Sequence, residues 1–295
     1  MSVRSNIIAF AFKIIPFRHT VIKNYLSLSS RKKNYLRSST PPYWFKRKWA
    51  ISTNEINGHQ VFQVEQKENT KPDHVIFYLH GGGYIFKATK HHWWFLNRFL
   101  RRLSCSVILP DYPISPDFTQ EEMMDMVLKT YHQTAAKYGS EKIIVMGDSA
   151  GGGLSLSLVQ QLKKEKENHP KKVILLSPWL DVSMNNPEIK KMAHLDPFLK
   201  VDIAKMAANA FCSGNNPESE QYSPIYGDIK GLPELSIFIG THDIFYPDCN
   251  KFKDLCVQKN IPLNYYEYAK MIHVWMLFHL PESKDAMKDI FSIIE

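Results

Sequence analysis

Ser149, Asp243 and His273 are far apart in the chain, yet they are the three side-chain types that acyl transfer requires. A serine hydroxyl at its ordinary pKa is a poor nucleophile, so a base must take its proton and a carboxylate must orient that base. Ser149 lies in Gly147-Asp148-Ser149-Ala150-Gly151, where the strand formers Lys142 to Met146 give way to a helix-like stretch from Leu154. In a G-x-S-x-G elbow the serine backbone is strained, and glycines on either side let strand and helix meet closely. Asp243 follows the apolar run Leu235 to Gly240, and His273 follows Leu263 to Tyr268. All three therefore fall just past the carboxyl ends of expected strands, the edge where open α/β sheets bind ligands. Each has an ordinary use as well. Ser149 suits a helix cap, Asp243 suits the cap of a helix beginning near Asp248, and His273 suits a satisfied loop position. Their order, Ser then Asp then His, each after a strand, favours the chemical reading, with Asp248 as the alternative acid.

A fourth piece is His80-Gly81-Gly82-Gly83-Tyr84, directly after the buried-strand pattern Val75 to Leu79. Acyl transfer builds charge on a carbonyl oxygen, and backbone N–H groups aimed at that oxygen stabilise it. Consecutive glycines let the backbone approach without side-chain hindrance. A phosphate loop is the rival interpretation, but the chain contains neither G-x-x-x-x-G-K-[ST] nor G-x-G-x-x-G. His80 reads as a residue that holds the loop, while Tyr84, Trp179, Phe198 and Val274 read as candidates for the substrate pocket. His91, His92 and the aromatics Trp93, Trp94 and Phe95 read as helix surface and core, because no H-E-x-x-H or related carboxylate spacing accompanies them. Neither metal nor cofactor is expected.

These residues need a scaffold, and the remaining pattern supplies one. Trp49 to Gln66 alternates around Asn57-Gly58, a hairpin signal. Continuously apolar strands then alternate with helices expected at 93–103, 121–138, 154–167, 248–259 and 283–294, which implies an α/β fold with a mostly parallel central sheet covered by helices on both faces. Between Trp179 and Leu232 no strand occurs, only a helical stretch from Leu199 to Cys212. The expected organisation is an N-terminal segment, 1–48, whose helices join a helical cap, and a main domain, 49–295, with a cap insertion at about 181–228. Met192, Phe198, Leu199, Met206 and Phe211 would form the cap's apolar underside.

The 295 residues carry a net charge of +8, but residues 1–50 hold eleven Lys and Arg and no Asp or Glu, leaving a slight acidic excess elsewhere. Basicity so confined, without a recognisable binding motif, argues against a nucleic-acid partner. Apolar residues 3, 7, 8, 11, 14 and 15 recur at helical spacing, so an amphipathic helix ending before Pro16 is expected, docked on its own protein or touching an anionic membrane surface, with a transit peptide as a third reading. Lys13 interrupts the apolar run, and no small-x-small cleavage pattern follows, so neither a secretion signal nor a spanning helix is read. Cys105, Cys212, Cys249 and Cys256 show no paired spacing, which suits free thiols and a cytoplasmic location. Oligomeric state is not legible.

The motifs HGGG at 80–83, GDSAGG at 147–152, THD at 241–243 and IHVW at 272–275 resemble the hormone-sensitive-lipase-like group of α/β-hydrolases, which includes bacterial carboxylesterases and arylacetamide-deacetylase relatives. The resemblance covers roughly residues 60–290. It implies the α/β-hydrolase fold and a carboxylesterase with Ser149 as nucleophile, His273 as general base then acid, and Asp243 as orienting carboxylate. It further implies an oxyanion hole from the N–H groups of Gly82, Gly83 and Ala150, and a cap built from N-terminal helices plus an insertion after strand six. The expected substrate is a small-molecule ester with a small to medium, fairly hydrophobic acyl group, processed through an acyl-enzyme. A peptidase or amidase using the same residues, and a receptor that kept the fold without the chemistry, are the alternatives. Two departures stand out: Asp111-Tyr112-Pro113-Ile114-Ser115-Pro116-Asp117 lacks the scaffold arginine of D-Y-R-L-A-P-E, and Asp243-Ile244-Phe245-Tyr246-Pro247-Asp248 replaces D-P-L-x-D.

Overall fold

Asn57 and Gly58 both adopt positive φ, 51° and 78°, as the tight turn of a two-residue hairpin demands. They join strand β1 (Ala50–Ile56) to β2 (His59–Glu65), with Ile56 opposite His59. The structure is a computed structural model that describes residue 2, residues 39–67 and residues 71–295. The amphipathic helix expected before Pro16, its membrane contact, and most of the segment 1–48 lie outside the described residues.

Six further strands follow: β3 (His74–Leu79), β4 (Cys105–Pro110), β5 (Ile143–Asp148), β6 (Lys172–Leu176), β7 (Glu234–Gly240) and β8 (Leu263–Tyr268). They form one sheet in the order β1-β2-β4-β3-β5-β6-β7-β8. The β1–β2 and β2–β4 pairs are antiparallel, and every other pair is parallel. Parallel neighbours need crossovers, which the helices provide.

Side chains alternate across a strand, so a strand buried on both faces must be apolar throughout. In β3, Val75, Phe77 and Leu79 enter one core while Ile76 and Tyr78 enter the other. The first core is closed by helices α3 (Gln120–Tyr138), α4 (Ala150–Lys164) and α7 (Tyr246–Gln258), and the second by α2 (Lys90–Arg102) and α8 (Pro281–Ile294). The segment between β6 and β7 holds α5 (Pro187–Met192) and α6 (Val201–Cys212), whose Ile189, Ile203 and Phe211 extend the first core.

Four helices depart from the sequence expectation: α5 has no counterpart in it, α4 begins at Ala150 inside the serine motif rather than at Leu154, and α2 and α1 differ as well. α2 begins at Lys90, ahead of Trp93, because Thr89 and His92 form a reciprocal cap in which the Thr89 N–H donates to His92 Nδ1 at 2.8 Å. Histidine there hides the usual Ser/Thr-x-x-Glu signature. A short α1 (Tyr43–Lys48) precedes the hairpin; only Phe45 of it is buried, with its ring 5.0 Å from that of Trp93, too little to leave a helical period. Among the described residues no helix is long and apolar enough to cross a membrane. All four cysteines are free and buried.

Phe99 on α2 is fully buried between Phe95 and Phe291, at ring separations of 5.0 and 5.5 Å. Phe99→Ala is expected to lower the unfolding free energy by about 3–5 kcal/mol, read as a lower urea midpoint by circular dichroism. A midpoint unchanged from wild type would contradict this packing.

Candidate active site

Ser149 is the residue between β5 and α4, with φ 53° and ψ −122°, a region an L-residue enters only when its surroundings over-determine it. They do so from three sides. Its N–H donates to Leu176 O at 2.9 Å, and its carbonyl accepts from Gly152, Gly153 and Trp179 at 3.0, 3.1 and 2.9 Å. Gly147 and Gly151 are required by the turn. A Cβ on Gly151 would lie 2.0 Å from Leu79 O, and one on Gly147 would lie 2.2 Å from Gly151 O.

His273 reaches Ser149 from the loop after β8. Its Nε2 is 2.9 Å from Ser149 Oγ and its Nδ1 is 2.8 Å from Asp243 Oδ2. A carboxylate can only accept, so Nδ1 carries the proton and Nε2 is left to accept from the hydroxyl. Asp243 Oδ1 accepts the Phe245 N–H at 2.9 Å, which fixes the carboxylate within its own loop. The His273 loop is pinned as well: Val274, at φ 46°, donates its N–H to Ser177 Oγ at 3.1 Å, and Ser177 has φ 46°. For a β-branched residue such a φ is costly. Three left-handed residues thus converge here.

The imidazole is almost fully buried, as are Asp243 and, to a slightly lesser degree, Ser149. Burial alone pushes the His273 pKa down, but the Asp243 carboxylate and its hydrogen bond, together with the charges of Asp196 and Asp148, outweigh burial and leave it above the ordinary 6.5. The imidazole is therefore made more basic by acidic neighbours on separate elements.

Behind the glycine loop, Asp148 Oδ1 accepts from Tyr78 Oη at 2.6 Å and the Gly81 N–H at 2.9 Å, and His92 Nε2 lies 3.4 Å away. Burial opposes its charge, but these three partners prevail and hold its pKa below the usual carboxylate value. His80 stacks on Tyr112 at 4.2 Å and its Nδ1 lies 2.8 Å from Gly81 O; buried, it is pushed down to about 3 and stays neutral. That placement suits a residue holding the loop. Gly82 has φ +124°, and its carbonyl accepts from Ile85 and Phe86 at 3.1 and 3.0 Å. Among the described hydrogen bonds none uses the N–H of Gly82, Gly83 or Ala150. Ala150 opens α4, where the first N–H groups have no partner in the helix. The stretch that lacks the expected scaffold arginine is held by Lys87, whose Nζ donates to the carbonyls of Asp111 and Tyr112 at 2.8 and 2.6 Å and pairs with Asp111 Oδ1 at 3.0 Å.

The remaining candidates divide. Phe198 lies 5.7 Å from the His273 ring, centroid to centroid, and Val274 follows that histidine in sequence. Tyr84 and Trp179 are buried in a stack with Phe211 and Phe245, at 3.8 Å for Tyr84–Phe211 and 5.3 Å for Trp179–Phe245. Asp248, the alternative acid, is bonded elsewhere: its Oδ1 accepts from Asn186 Nδ2 at 2.8 Å, so it ties the start of α5 to α7. Two groups were not anticipated from sequence. Asp148 lies inside the serine motif with partners that only folding brings to it, and Asp196 lies between β6 and β7 without a motif around it. Among the described residues no three His, Cys, Asp or Glu side chains converge as a metal site requires.

The sequence matches a protein family described as alpha/beta hydrolase fold over residues 76–277. It is 26% identical to an esterase of Acinetobacter venetianus, over 77% of this chain and 76% of that protein. It is 24% identical to an acetyl-hydrolase of Streptomyces hygroscopicus, over 72% and 73% of the two chains. The crystal structure of an esterase from the bacterial hormone-sensitive lipase family superposes with a TM-score of 0.83 at 23% identity, covering 100% of this chain and 98% of that one.

The close approach at Gly151 yields a test. Gly151→Ala places a methyl group against backbone, which cannot swing aside, so β3 and α4 must separate. The expected result is a thermal midpoint lowered by several degrees, with loss of reactivity at Ser149; an alanine variant with wild-type melting and reactivity would refute the packing of the elbow.

Proposed function

Because the chain belongs to the α/β-hydrolase fold family, we propose that it is a carboxylic-ester hydrolase in which Ser149 attacks the ester carbonyl and forms an acyl-enzyme. The observation that carries the reading is the continuous hydrogen-bonded line from Ser149 Oγ through the His273 ring to Asp243. Nε2 of His273 takes the hydroxyl proton as the Oγ–carbon bond forms, and the imidazolium then gives that proton to the departing alkoxide. Water, deprotonated by the same nitrogen, attacks the acyl group in the second half and returns Ser149. Asp243 holds the tautomer that makes this possible.

The N–H groups of Gly82, Gly83 and Ala150 are the proposed donors to the carbonyl oxygen as it becomes an oxyanion. One such donor is worth about 3 kcal/mol of transition-state stabilisation. The aromatic neighbours Phe198 and Phe245, with ring centroids 5.7 and 5.1 Å from that of His273, and the low exposure of Ser149 favour uncharged, fairly hydrophobic esters with small to medium acyl groups. The relatives named esterase and acetyl-hydrolase support the same class.

Purified protein should hydrolyse p-nitrophenyl acyl esters of graded chain length faster than aminoacyl anilides. Ser149→Ala should abolish both turnover and labelling by a fluorophosphonate probe. Faster anilide cleavage would replace the esterase reading by an amidase one, and an unlabelled wild-type protein would remove the nucleophile.

A pH dependence follows from His273. Only the neutral ring can accept the serine proton, and its pKa stands above 6.5, so protonation on the acid side removes the base. The rate constant kcat/KM should be flat in mild alkali and fall tenfold per unit once pH drops below a midpoint above 6.5. An acid limb centred well below that value would show that another group is the base.

A further inference from the structure

Asp196 is almost fully buried, and no cation pairs with it among the described residues. Its partners are backbone amides alone. Oδ1 accepts the N–H of Phe198 at 2.7 Å and of Leu199 at 2.9 Å, the local turn an aspartate makes with the residues that follow it. Oδ2 has a different destination. It accepts the N–H of Ile244 at 3.0 Å, 48 residues further along the chain. Ile244 adjoins Asp243, and the next amide, Phe245, donates to Asp243 itself at 2.9 Å. Two carboxylates, one from the cap insertion and one from the loop after β7, thus hold successive amides of one loop.

We propose that Asp196 is a positioning residue that fastens the cap insertion to the Asp243 loop and stabilises the imidazolium of His273 during proton transfer. The proposal rests on the ester-hydrolase reading for its mechanistic half. An aspartate that served the turn alone would need only Oδ1; the bond to Ile244 spans two elements and fixes the loop from which Asp243 reaches Nδ1. The turn also sets Phe198, whose ring lies 5.7 Å from the imidazole and 5.6 Å from Phe278. Seating of the cap and orientation of the acid are therefore one event.

The charges around His273 come from three elements: Asp243 after β7, Asp196 from the insertion and Asp148 at the end of β5, with Phe198 and Phe245 as its aromatic neighbours. Asp196 in turn is acted on by Asp243 and His273. Burial, then the Asp243 charge, push it up to about 6, while His273 and the amides of Leu199 and Ile244 pull the other way. When Ser149 gives up its proton, the Oγ–H bond breaks, an Nε2–H bond forms, and the new positive charge lies in the field of the Asp196 carboxylate as well as that of Asp243. Opposite charges in a water-poor site attract far more strongly than in bulk water.

Asp196→Asn keeps the size and removes the charge, and Asp196→Ser keeps a turn acceptor while losing both charge and reach. The readouts are kcat and KM on a p-nitrophenyl ester, the acid limb of kcat/KM, thermal melting, and NMR titration of the His273 ring, which needs no turnover. Both variants should lower kcat by roughly 10- to 100-fold, the range of a proton-transfer contribution, with KM changed by less than about threefold. Loss of a negative neighbour lowers the pKa of His273, so the acid limb and the ring titration should both move to lower pH by about one unit, a tenfold change in proton affinity. An unmoved titration, a loss confined to KM, or failure of both variants to fold would reduce Asp196 to a structural anchor and overturn the proposal. If the wild type turns over no ester while the titration still moves in Asp196→Asn, the hydrolase reading falls and the coupling between Asp196 and His273 stands.

Discussion

Everything in the site depends on one residue held where an L-amino acid does not rest by itself. Ser149, at φ 53° and ψ −122°, stores strain of about 1–3 kcal/mol, and a single hydrogen bond would not hold it. The constraint is collective. β6 receives its N–H, α4 and the Trp179 amide share its carbonyl, and β3 presses so close to Gly151 that a Cβ there would meet Leu79 O at 2.0 Å. Strand order makes this possible. β5 lies between β3 and β6 in the sheet, so both neighbours can reach the turn that follows it. A nucleophile at the end of an edge strand would have only one.

The same logic extends to its partners. Asp243 and His273 sit beyond β7 and β8, successive strands of the sheet. Parallel strands deliver their following loops to one edge, so residues 124 positions apart can share a hydrogen bond. The loops are then tied to one another: His242 N–H donates to Met271 O at 3.0 Å, and Val274 N–H donates to Ser177 Oγ at 3.1 Å. The imidazole is held by these cross-links between loops as well as by the bonds within them.

What was legible in the sequence is what local chemistry dictates. The Asn57-Gly58 turn, the uninterrupted apolar strands and the glycines around Ser149 each have a reason within a few residues of themselves, and so they could be read. The hidden parts are those whose reason lies elsewhere in the chain. His92 caps α2 where a glutamate would be looked for, and α1 is held chiefly by one buried phenylalanine. Lys87 supports the Asp111 and Tyr112 carbonyls from outside the motif whose arginine is absent. Asp196 has no flanking signature, since two of its three bonds make an ordinary turn and the third joins it to a distant amide. Asp148 was in plain sight inside the serine motif, but its role depends on Tyr78, Gly81 and His92, which only folding brings together.

In the proposed reaction, negative charge grows on the substrate oxygen while positive charge grows on His273, and water is largely excluded from both. The protein supplies the opposite field for each before any substrate arrives. On the anion's side are the Ala150 amide at the start of α4, where the helix dipole is positive, and those of Gly82 and Gly83 in the glycine loop. On the cation's side are carboxylates from the β5 end, the β7 loop and the cap insertion. The sheet edge alone provides the first two of these carboxylates; the third, Asp196, comes from the chain between β6 and β7 and is held against the Asp243 loop by its bond to the Ile244 N–H. An insertion of this kind is usually treated as a cover that selects what enters. Here it carries a buried carboxylate bonded to the loop that bears Asp243, so in the proposed reaction the electrostatic field and the enclosure that strengthens it would be set by the same contact.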